Sequence, residues 1–259
     1  MRLRSTRLLA AASLSALALT ATGCATSPTD RTGSIVARAE PRTELEWRRE
    51  MDAAGTRYRA DPRDGAAAIR YARALRAIGQ RSQAAAVLEQ AAIHNSTDRR
   101  VLGAYGRALA DNGNLKEALD VLARAHSPDN PDWRILSVQG AVYDQMGRHN
   151  EARQHYASAL RLAPNEPSVL SNLGLSYALS KNLPEAEEVL RRAATQPNPP
   201  AQVQQNLALV VGLQGRFQEA ETIARSGLPA DAAAANVATL QRMLAEQGSR
   251  SGGRRNTRL

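Results

Sequence analysis

One spacing, 34 residues, organises most of this 259-residue chain. At that spacing, without an insertion or deletion, stand Ala84, Ala118, Ala152, Ala186 and Ala220. A second column at the same spacing holds only small residues, which are Ala72, Gly106, Gly140, Gly174 and Ala208. A fixed period in this range is typical of stacked supersecondary units, each of which buries its apolar face against its neighbours. The spacing therefore predicts a repeat fold of five successive units.

Larger apolar residues flank the small ones at i, i+3 and i, i+4 spacing, which places them on one face of a helix. They include Leu75, Leu109, Tyr143, Tyr177 and Val211 in one column, and Leu88, Leu122, Tyr156 and Leu190 in another. Two antiparallel helices that cross at short distance need a small residue at the contact point. Each unit is therefore predicted to be a pair of packed helices.

This pattern resembles the tetratricopeptide repeat over residues 65–234, and the unit that matches best carries Gly140, Tyr143, Ala152, Tyr156, Ala159 and Pro164. The resemblance implies an all-α fold, a right-handed superhelical stack of helix pairs with terminal capping helices. Glycines recur in phase where each first helix should stop, at Gly79, Gly113, Gly147 and Gly215. Asn114 and Asn182, each followed three residues later by a glutamate, are predicted to cap second helices.

The segments outside the repeats are assigned from composition and apolar spacing. The predicted organisation is a signal peptide at 1–23, a flexible tether at 24–42, a capping helix at 43–64, five repeats at 65–234, a second capping helix at 235–247 and a disordered basic tail at 248–259.

The first 24 residues predict export. Arg2, Arg4 and Arg7 precede an apolar run from Leu8 to Leu19 that is too short to span a bilayer comfortably. Cys24, the only cysteine, follows directly and excludes an intramolecular disulfide. The stretch resembles a bacterial lipoprotein signal, which implies a lipidated Cys24 and an anchor in the outer membrane facing the periplasm. An ordinary secretory signal that leaves a free thiol is the alternative.

The formal net charge of +9 is concentrated at the two ends of the chain. Without the three arginines of the predicted signal and the four of the basic tail, residues 24–247 carry only +2. This near balance, together with export, argues against nucleic acid as a partner.

The sequence carries no signature of an enzyme, a cofactor site or a small-molecule substrate site. The histidines are His94, His126, His149 and His155, and the last two are six residues apart, so they do not share a helix face as metal ligands would. We expect all four at the surface or at helix ends and expect no metal site.

The resemblance to the repeat family implies which first-helix positions face the concave side. In the first three units these positions hold Arg70, Arg73, Arg76, Arg100, Arg107 and Arg134; in the last two they hold Asn172, Leu175, Leu179, Asn206, Leu209 and Leu213. The predicted groove is therefore basic at one end and amide-and-apolar at the other. Arginines suit carboxylates, and asparagines suit the backbone of an extended peptide. Solvated arginines and leucines that pack between units are the alternative.

An exported repeat array behind a lipoprotein signal resembles the TadD-type proteins of the tight-adherence pilus and, less closely, the pilotins of type IV pili. This resemblance implies a scaffold that binds an envelope protein, either the secretin or another pilus assembly component. A general envelope adaptor that recruits peptidoglycan hydrolases or proteases is the alternative, and a catalytic role is the least favoured.

Overall fold

The computed structural model describes residues 43–255, with side chains up to residue 246. This part of the chain is helical and contains no strand; an isolated bridge between Ser127 and Asn130 is its one extended pairing. Its helices are α1 (Glu44–Ala60), α2 (Gly65–Ala77), α3 (Arg81–His94), α4 (Arg99–Asp111), α5 (Leu115–Arg124), α6 (Trp133–Gln145), α7 (His149–Leu162), α8 (Pro167–Leu179), α9 (Leu183–Ala194), α10 (Ala201–Leu213), α11 (Phe217–Ala224) and α12 (Ala230–Arg255).

The fold class agrees with the sequence prediction, since α2 to α11 form five consecutive helix pairs. The predicted signal peptide, the tether and Cys24 lie outside the described residues. None of the described helices is long and apolar enough to cross a bilayer.

An acidic residue begins most of the first helices. The side chains of Asp64, Asp98 and Asp132 accept hydrogen bonds from backbone amides in the first turns of α2, α4 and α6, and Glu166 does so for α8. These four residues are 34 apart and satisfy amides that the helix itself leaves unpaired. The capping prediction for Asn114 and Asn182 is wrong, because neither side chain bonds an amide of the second helix that it precedes.

Glycine ends the first helices by adopting the left-handed conformation. Gly79, Gly113, Gly147 and Gly215 have φ between 74° and 87°, and Lys181 takes the equivalent place in the fourth unit at 66°. No atom lies within 4 Å of a Cβ built on these four glycines, so the backbone conformation, not crowding, selects them.

Close approach explains the column of small residues within the units. A Cβ added to Gly106 would lie 2.5 Å from Leu122 Cγ, one added to Gly140 would lie 2.6 Å from Tyr156 Cε1, and one added to Gly174 would lie 2.6 Å from Leu190 Cγ. The alanines of the 84–220 column are fully buried against the same crossings. The predicted packing of each helix pair is confirmed.

The stack has two layers. Each first helix contacts the first helix of the next unit, from α2 to α4 through to α8 and α10, and α12 continues the series against α10. Successive second helices, from α3 to α11, make no such contacts with one another. The first helices therefore form a tighter inner layer, and their exposed face is the concave one.

The structure differs from the predicted boundaries at the C-terminal end. α12 begins at Ala230 and continues to Arg255, so it extends into the segment that the sequence analysis assigns to a disordered tail. Its first half is held by Ala233, Val237 and Leu240, which are buried.

Candidate functional site

A cavity of about 330 Å³ opens on the inner layer between α2, α4 and α6. Its floor is formed by small and apolar residues, Ile69, Ala72, Gly103, Ala104, Ile135 and Val138. Its charged lining consists of Arg73, Arg76, Arg99, Arg100, Arg107, Arg134 and Asp132. We call this the arginine cavity. The structure thus brings together five of the six arginines predicted for the groove; Arg70 is exposed on α2 and does not line the cavity.

Three of these arginines have a carboxylate partner. Arg76 on α2 pairs with Asp111 at the end of α4, which joins the first two units. Arg100 Nη2 lies 3.0 Å from Asp98 Oδ2, and this contact lowers the pKa of the carboxyl. The third pair is longer, with 4.0 Å between Arg134 Nη1 and Asp132 Oδ1.

Two arginines lie over the indole rings of the chain. The guanidinium carbon of Arg73 is 5.6 Å from the ring centre of Trp47 in α1, and that of Arg134 is 4.4 Å from the ring centre of Trp133. Such cation–π contacts orient a guanidinium without neutralising its charge. The positive charge of Arg73 therefore remains free to act on a ligand.

Arg107 is a further cavity arginine that lacks a paired carboxylate. It forms no ion pair with any residue in the described part of the chain, and part of its side chain is exposed. Burial lowers the pKa of its guanidinium, the charge of Arg76 lowers that pKa further, and Asp111 opposes both. Because arginine stays protonated at physiological pH, this position holds a partly desolvated positive charge that a carboxylate would neutralise.

The comparisons with known proteins agree with this architecture. A family model described as a tetratricopeptide repeat matches residues 69–131 and 138–202. These two segments are tetratricopeptide repeats. Proteins built from such repeats are generally non-catalytic scaffolds that bind other proteins. No curated protein matches the sequence.

Solved structures with the same fold include the type IV pilus biogenesis factor PilW, at 16% identity and a TM-score of 0.59, over 74% of this chain and 91% of PilW. PilF of Pseudomonas aeruginosa is 19% identical with a TM-score of 0.50, over 70% of this chain and 85% of PilF. The APC/C hetero-tetramer Cut9–Hcn1 is 16% identical with a TM-score of 0.61, over 79% of this chain and 40% of the matched one. At these identities the similarity shows the fold.

The amide-and-apolar half of the predicted groove is arranged differently from the expectation. Asn206 is buried; its Nδ2 donates to Ser171 Oγ at 2.9 Å, and its Oδ1 accepts from Gln202. Asn172 Nδ2 donates to Ser137 Oγ at 3.1 Å. Both amides therefore join first helices of neighbouring repeats, and the burial of Asn206 keeps its amide away from a peptide in the groove.

Two of the four leucines of this half are exposed, as expected for a groove, and two are half-buried, as expected for leucines that pack between units. Leu179 and Leu209 are exposed to 59% and 41%, whereas Leu175 and Leu213 are half-buried in the inner layer. Leu209 also lines an apolar cavity of about 300 Å³ between α10 and α12, together with Met243. The arginine cavity differs from this one in its charged lining of six arginines and one aspartate.

Sequence reasoning missed three contributors to the arginine cavity. Arg99 lines it, and the two tryptophans hold Arg73 and Arg134 from outside. The spacing of the acidic N-caps could have predicted the role of Arg99. Asp98 is the residue before α4, so it fixes where the helix begins and therefore the direction in which its first side chains point.

Two acidic residues near the groove have structural partners. Asp111 pairs with Arg76, as above. Asp144 accepts hydrogen bonds from Tyr156 Oη at 3.0 Å and from Ser176 Oγ at 2.8 Å, and the second bond joins the third and fourth repeats. Burial raises the pKa of Tyr156, and the neighbouring carboxylate of Asp144 raises it further. The described residues contain no cluster of three or more histidine, cysteine or acidic side chains suited to a metal.

Proposed function

We propose that this chain is a non-enzymatic scaffold of the bacterial envelope that binds an acidic segment of another envelope protein in the arginine cavity. The observation that carries the proposal is the concentration of six arginines around one concave cavity, with a single carboxylate, that of Asp132, in its lining. Arginine recognises carboxylates through paired hydrogen bonds, and a partly desolvated site strengthens them. An apolar floor adds contact for the stem of a glutamate or aspartate side chain.

The partner we propose is an assembly component of a pilus or secretion machine. Among such components we favour the secretin of a tight-adherence pilus. PilW, which shares the fold over most of both chains, is a type IV pilus biogenesis factor. The lipoprotein-like segment that ends at Cys24 adds an anchor at the outer membrane, where a secretin is assembled. Recruitment of a peptidoglycan hydrolase or protease is the alternative that the same experiment separates.

The test is co-purification of the secretin with variants of the full chain. Arg107→Gln combined with Arg73→Gln removes two charges that no described carboxylate pairs with, so we expect secretin capture to fall about tenfold, equivalent to about 1.4 kcal/mol. Arg76 is kept, since its pair with Asp111 joins two repeats. Added salt should weaken capture by the unchanged chain, because exposed charges are screened over about 8–10 Å.

Arg70→Gln is the matched control, since it removes one exposed charge from α2 outside the cavity. It should leave capture unchanged. Equal loss with Arg70→Gln would show a general charge effect, and undiminished capture by the double variant would refute the role of the cavity. If the chain captures a hydrolase instead of the secretin, and this capture also depends on Arg107, the proposed role of the cavity stands and the proposed partner is wrong.

Anchoring is tested separately with Cys24→Ser. Mass spectrometry of the membrane fraction should find acyl chains on Cys24, and the serine variant should leave the outer membrane because lipidation requires the thiol. If the Cys24→Ser variant stays in the outer membrane, the lipoprotein proposal is refuted, and the proposal for the cavity is unaffected.

A further inference from the structure

The floor of the arginine cavity has more apolar surface than an acidic side chain can cover. The cavity encloses about 330 Å³ above small and apolar residues of α2, α4 and α6. An apolar cavity of about 150 Å³ is large enough to hold a benzene ring. The short stem of a glutamate or aspartate therefore occupies only part of this space, and the rest of the floor remains in contact with water.

Small side chains between α4 and α6 leave the floor open. Between α6 and α8 the hydrogen-bonded pair of Ser137 and Asn172 fills the equivalent space. One repeat earlier, Gly103 and Val138 take the places of this pair and cannot bond each other. Contact between α4 and α6 is also the sparsest among the neighbouring first helices from α2 to α10. The open floor is therefore a property of these repeats and not of the whole stack.

Positive charge surrounds the floor on three successive first helices. Arg73 lies on α2, Arg107 on α4 and Arg134 on α6, and all three line the cavity. Because the axes of packed helices are about 8–10 Å apart, these guanidinium groups are distributed around the floor and not collected at one point. Acidic residues on both sides of one central residue match this distribution better than a single carboxylate does.

A larger cavity on the outer layer lacks this combination. It encloses about 570 Å³ between the end of α5 and α7. His155 lines it from the middle of α7 and is half-buried, contrary to the surface or helix-end position that the sequence predicts. Besides its imidazoles, Arg161 is the one charged residue of its lining. Only the arginine cavity joins an open apolar floor to several positive charges.

We propose that the arginine cavity binds one large apolar side chain of the partner, of the size of leucine or phenylalanine, while its arginines pair with acidic residues on both sides of that side chain. We call the apolar side chain the anchor. This inference rests on the proposed function and adds the chemistry of the bound segment. Burial of the anchor supplies affinity, and the charge pairs supply orientation and a faster encounter.

The anchor makes the site selective among acidic segments. A segment of acidic residues alone is held by charges that water and salt screen, and each exposed pair contributes little. It also leaves the apolar floor uncovered. A segment with an anchor covers the floor, so its affinity exceeds that of a purely acidic one.

The test is binding of dye-labelled peptides to the full chain, measured by fluorescence anisotropy. The probe is a capped peptide with one leucine between two pairs of glutamates. A second peptide has alanine in place of the leucine, and a third has glutamine in place of every glutamate. We expect the alanine peptide to bind about tenfold more weakly than the probe, because full burial of a leucine side chain contributes at least this much. Equal affinities of these two peptides would overturn the proposal.

Ala104→Leu fills the cavity from its floor without removing a charge. Ala104 is half-buried there, and the equivalent position of the next repeat carries the larger Val138. This variant should bind the probe and the alanine peptide equally. Ala157→Leu adds the same side chain at an exposed position of α7 and is the matched control, which should discriminate as the unchanged chain does. Discrimination that persists in Ala104→Leu would place the anchor elsewhere and overturn the proposal.

Ile69→Ala is a second variant that guards against misfolding of the first. Ile69 is half-buried in the floor, so its truncation enlarges the cavity. A peptide with phenylalanine in place of the leucine should then gain about fivefold on the probe, compared with the unchanged chain. An unchanged preference between the two peptides would contradict an anchor in this cavity.

The glutamine peptide separates this proposal from the proposed function. If it binds as tightly as the probe, and if Arg107→Gln combined with Arg73→Gln has no effect, recognition of acidic residues is wrong while the anchor stands. If the probe and the alanine peptide bind equally and both depend on the two arginines, the anchor is wrong while recognition of acidic residues stands. Failure of every peptide to bind would overturn the anchor as well.

Discussion

The two halves of the inner layer use the same register positions in opposite ways. In the C-terminal half these positions hold two serine–asparagine pairs, Ser137 with Asn172 and Ser171 with Asn206, which bond neighbouring first helices. In the N-terminal half they hold Ile69 with Ala104 and Gly103 with Val138, and all four line the arginine cavity. Polar side chains thus fill the space between repeats in one half, and their absence leaves the space open in the other.

A second register position makes the same contrast in charge. It carries Arg73 and Arg107 in the first two repeats, and Leu175 and Leu209 in the last two. The comparison teaches that the 34-residue frame fixes how helices cross, while positions that face inwards vary without disturbing it. Each half can therefore acquire its own binding chemistry.

The largest effect is expected from a substitution at a helix crossing that all five repeats share. Ala152 is fully buried at a helix crossing, and Ala152→Leu adds three carbon atoms there, so we expect a loss of about 1–3 kcal/mol in the free energy of unfolding. Thermal unfolding should show a melting temperature lower by several degrees. Ala141→Leu is the control, because Ala141 occupies the inward position where the last two repeats carry leucine, and it should cost much less. Equal effects would contradict the distinction between frame and inward positions.

An intermediate effect is expected at the polar pairs of the C-terminal half. Asn206→Ala leaves the buried Ser171 hydroxyl without its donor, and we expect a loss of about 1–2 kcal/mol in urea unfolding. Ser171→Ala combined with Asn206→Leu removes both partners and should recover most of that loss. If the double variant is less stable than Asn206→Ala, the pair does more than fill space between repeats.

The smallest expected effect concerns an ion-pair network on the outer side of the C-terminal half. Glu187 accepts from Arg216, from Gln214 and from Arg191, and these contacts lower its pKa to about 2. The stabilisation is fully present above the ordinary pKa of 4.5 and is lost as pH falls towards 2. Since both arginines are partly exposed, solvent screens the ion pairs, and Glu187→Gln should cost less than about 1 kcal/mol at pH 7.

Denaturation curves at pH 7 and at pH 2.5 measure this difference. The gap between the unchanged chain and Glu187→Gln should narrow at the lower pH. A gap of constant size would mean that hydrogen-bond geometry, and not the charge of Glu187, joins the fourth and fifth repeats.

The frame of the fold was predictable because it repeats without insertions. The small column, the alanine column and the glycines at helix ends each have one physical cause, and the structure places all of them as expected. The caps were misassigned because Asn114 looked like an N-cap, while the residues that do cap, such as Asp64 and Asp98, recur at the same spacing one helix earlier.

The inward contacts were less predictable because they do not follow the repeat length. Arg76 with Asp111, Ser137 with Asn172 and Ser171 with Asn206 are each 35 residues apart, since a side chain meets a residue one position further along the next first helix. Columns at a spacing of 34 hide these pairs. The predicted arginine cluster was found because several neighbouring columns share one charge, whereas the asparagines were misread as free.

The position of the indole rings has a spectroscopic consequence. Trp47 and Trp133 are the only tryptophans of the chain, and each lies beneath an arginine of the cavity. Tryptophan emission from the protein therefore originates at the two margins of one site. A bound anion that draws Arg134 away from its ring would alter the intensity of that emission, so the unlabelled chain carries its own optical reporter of occupancy.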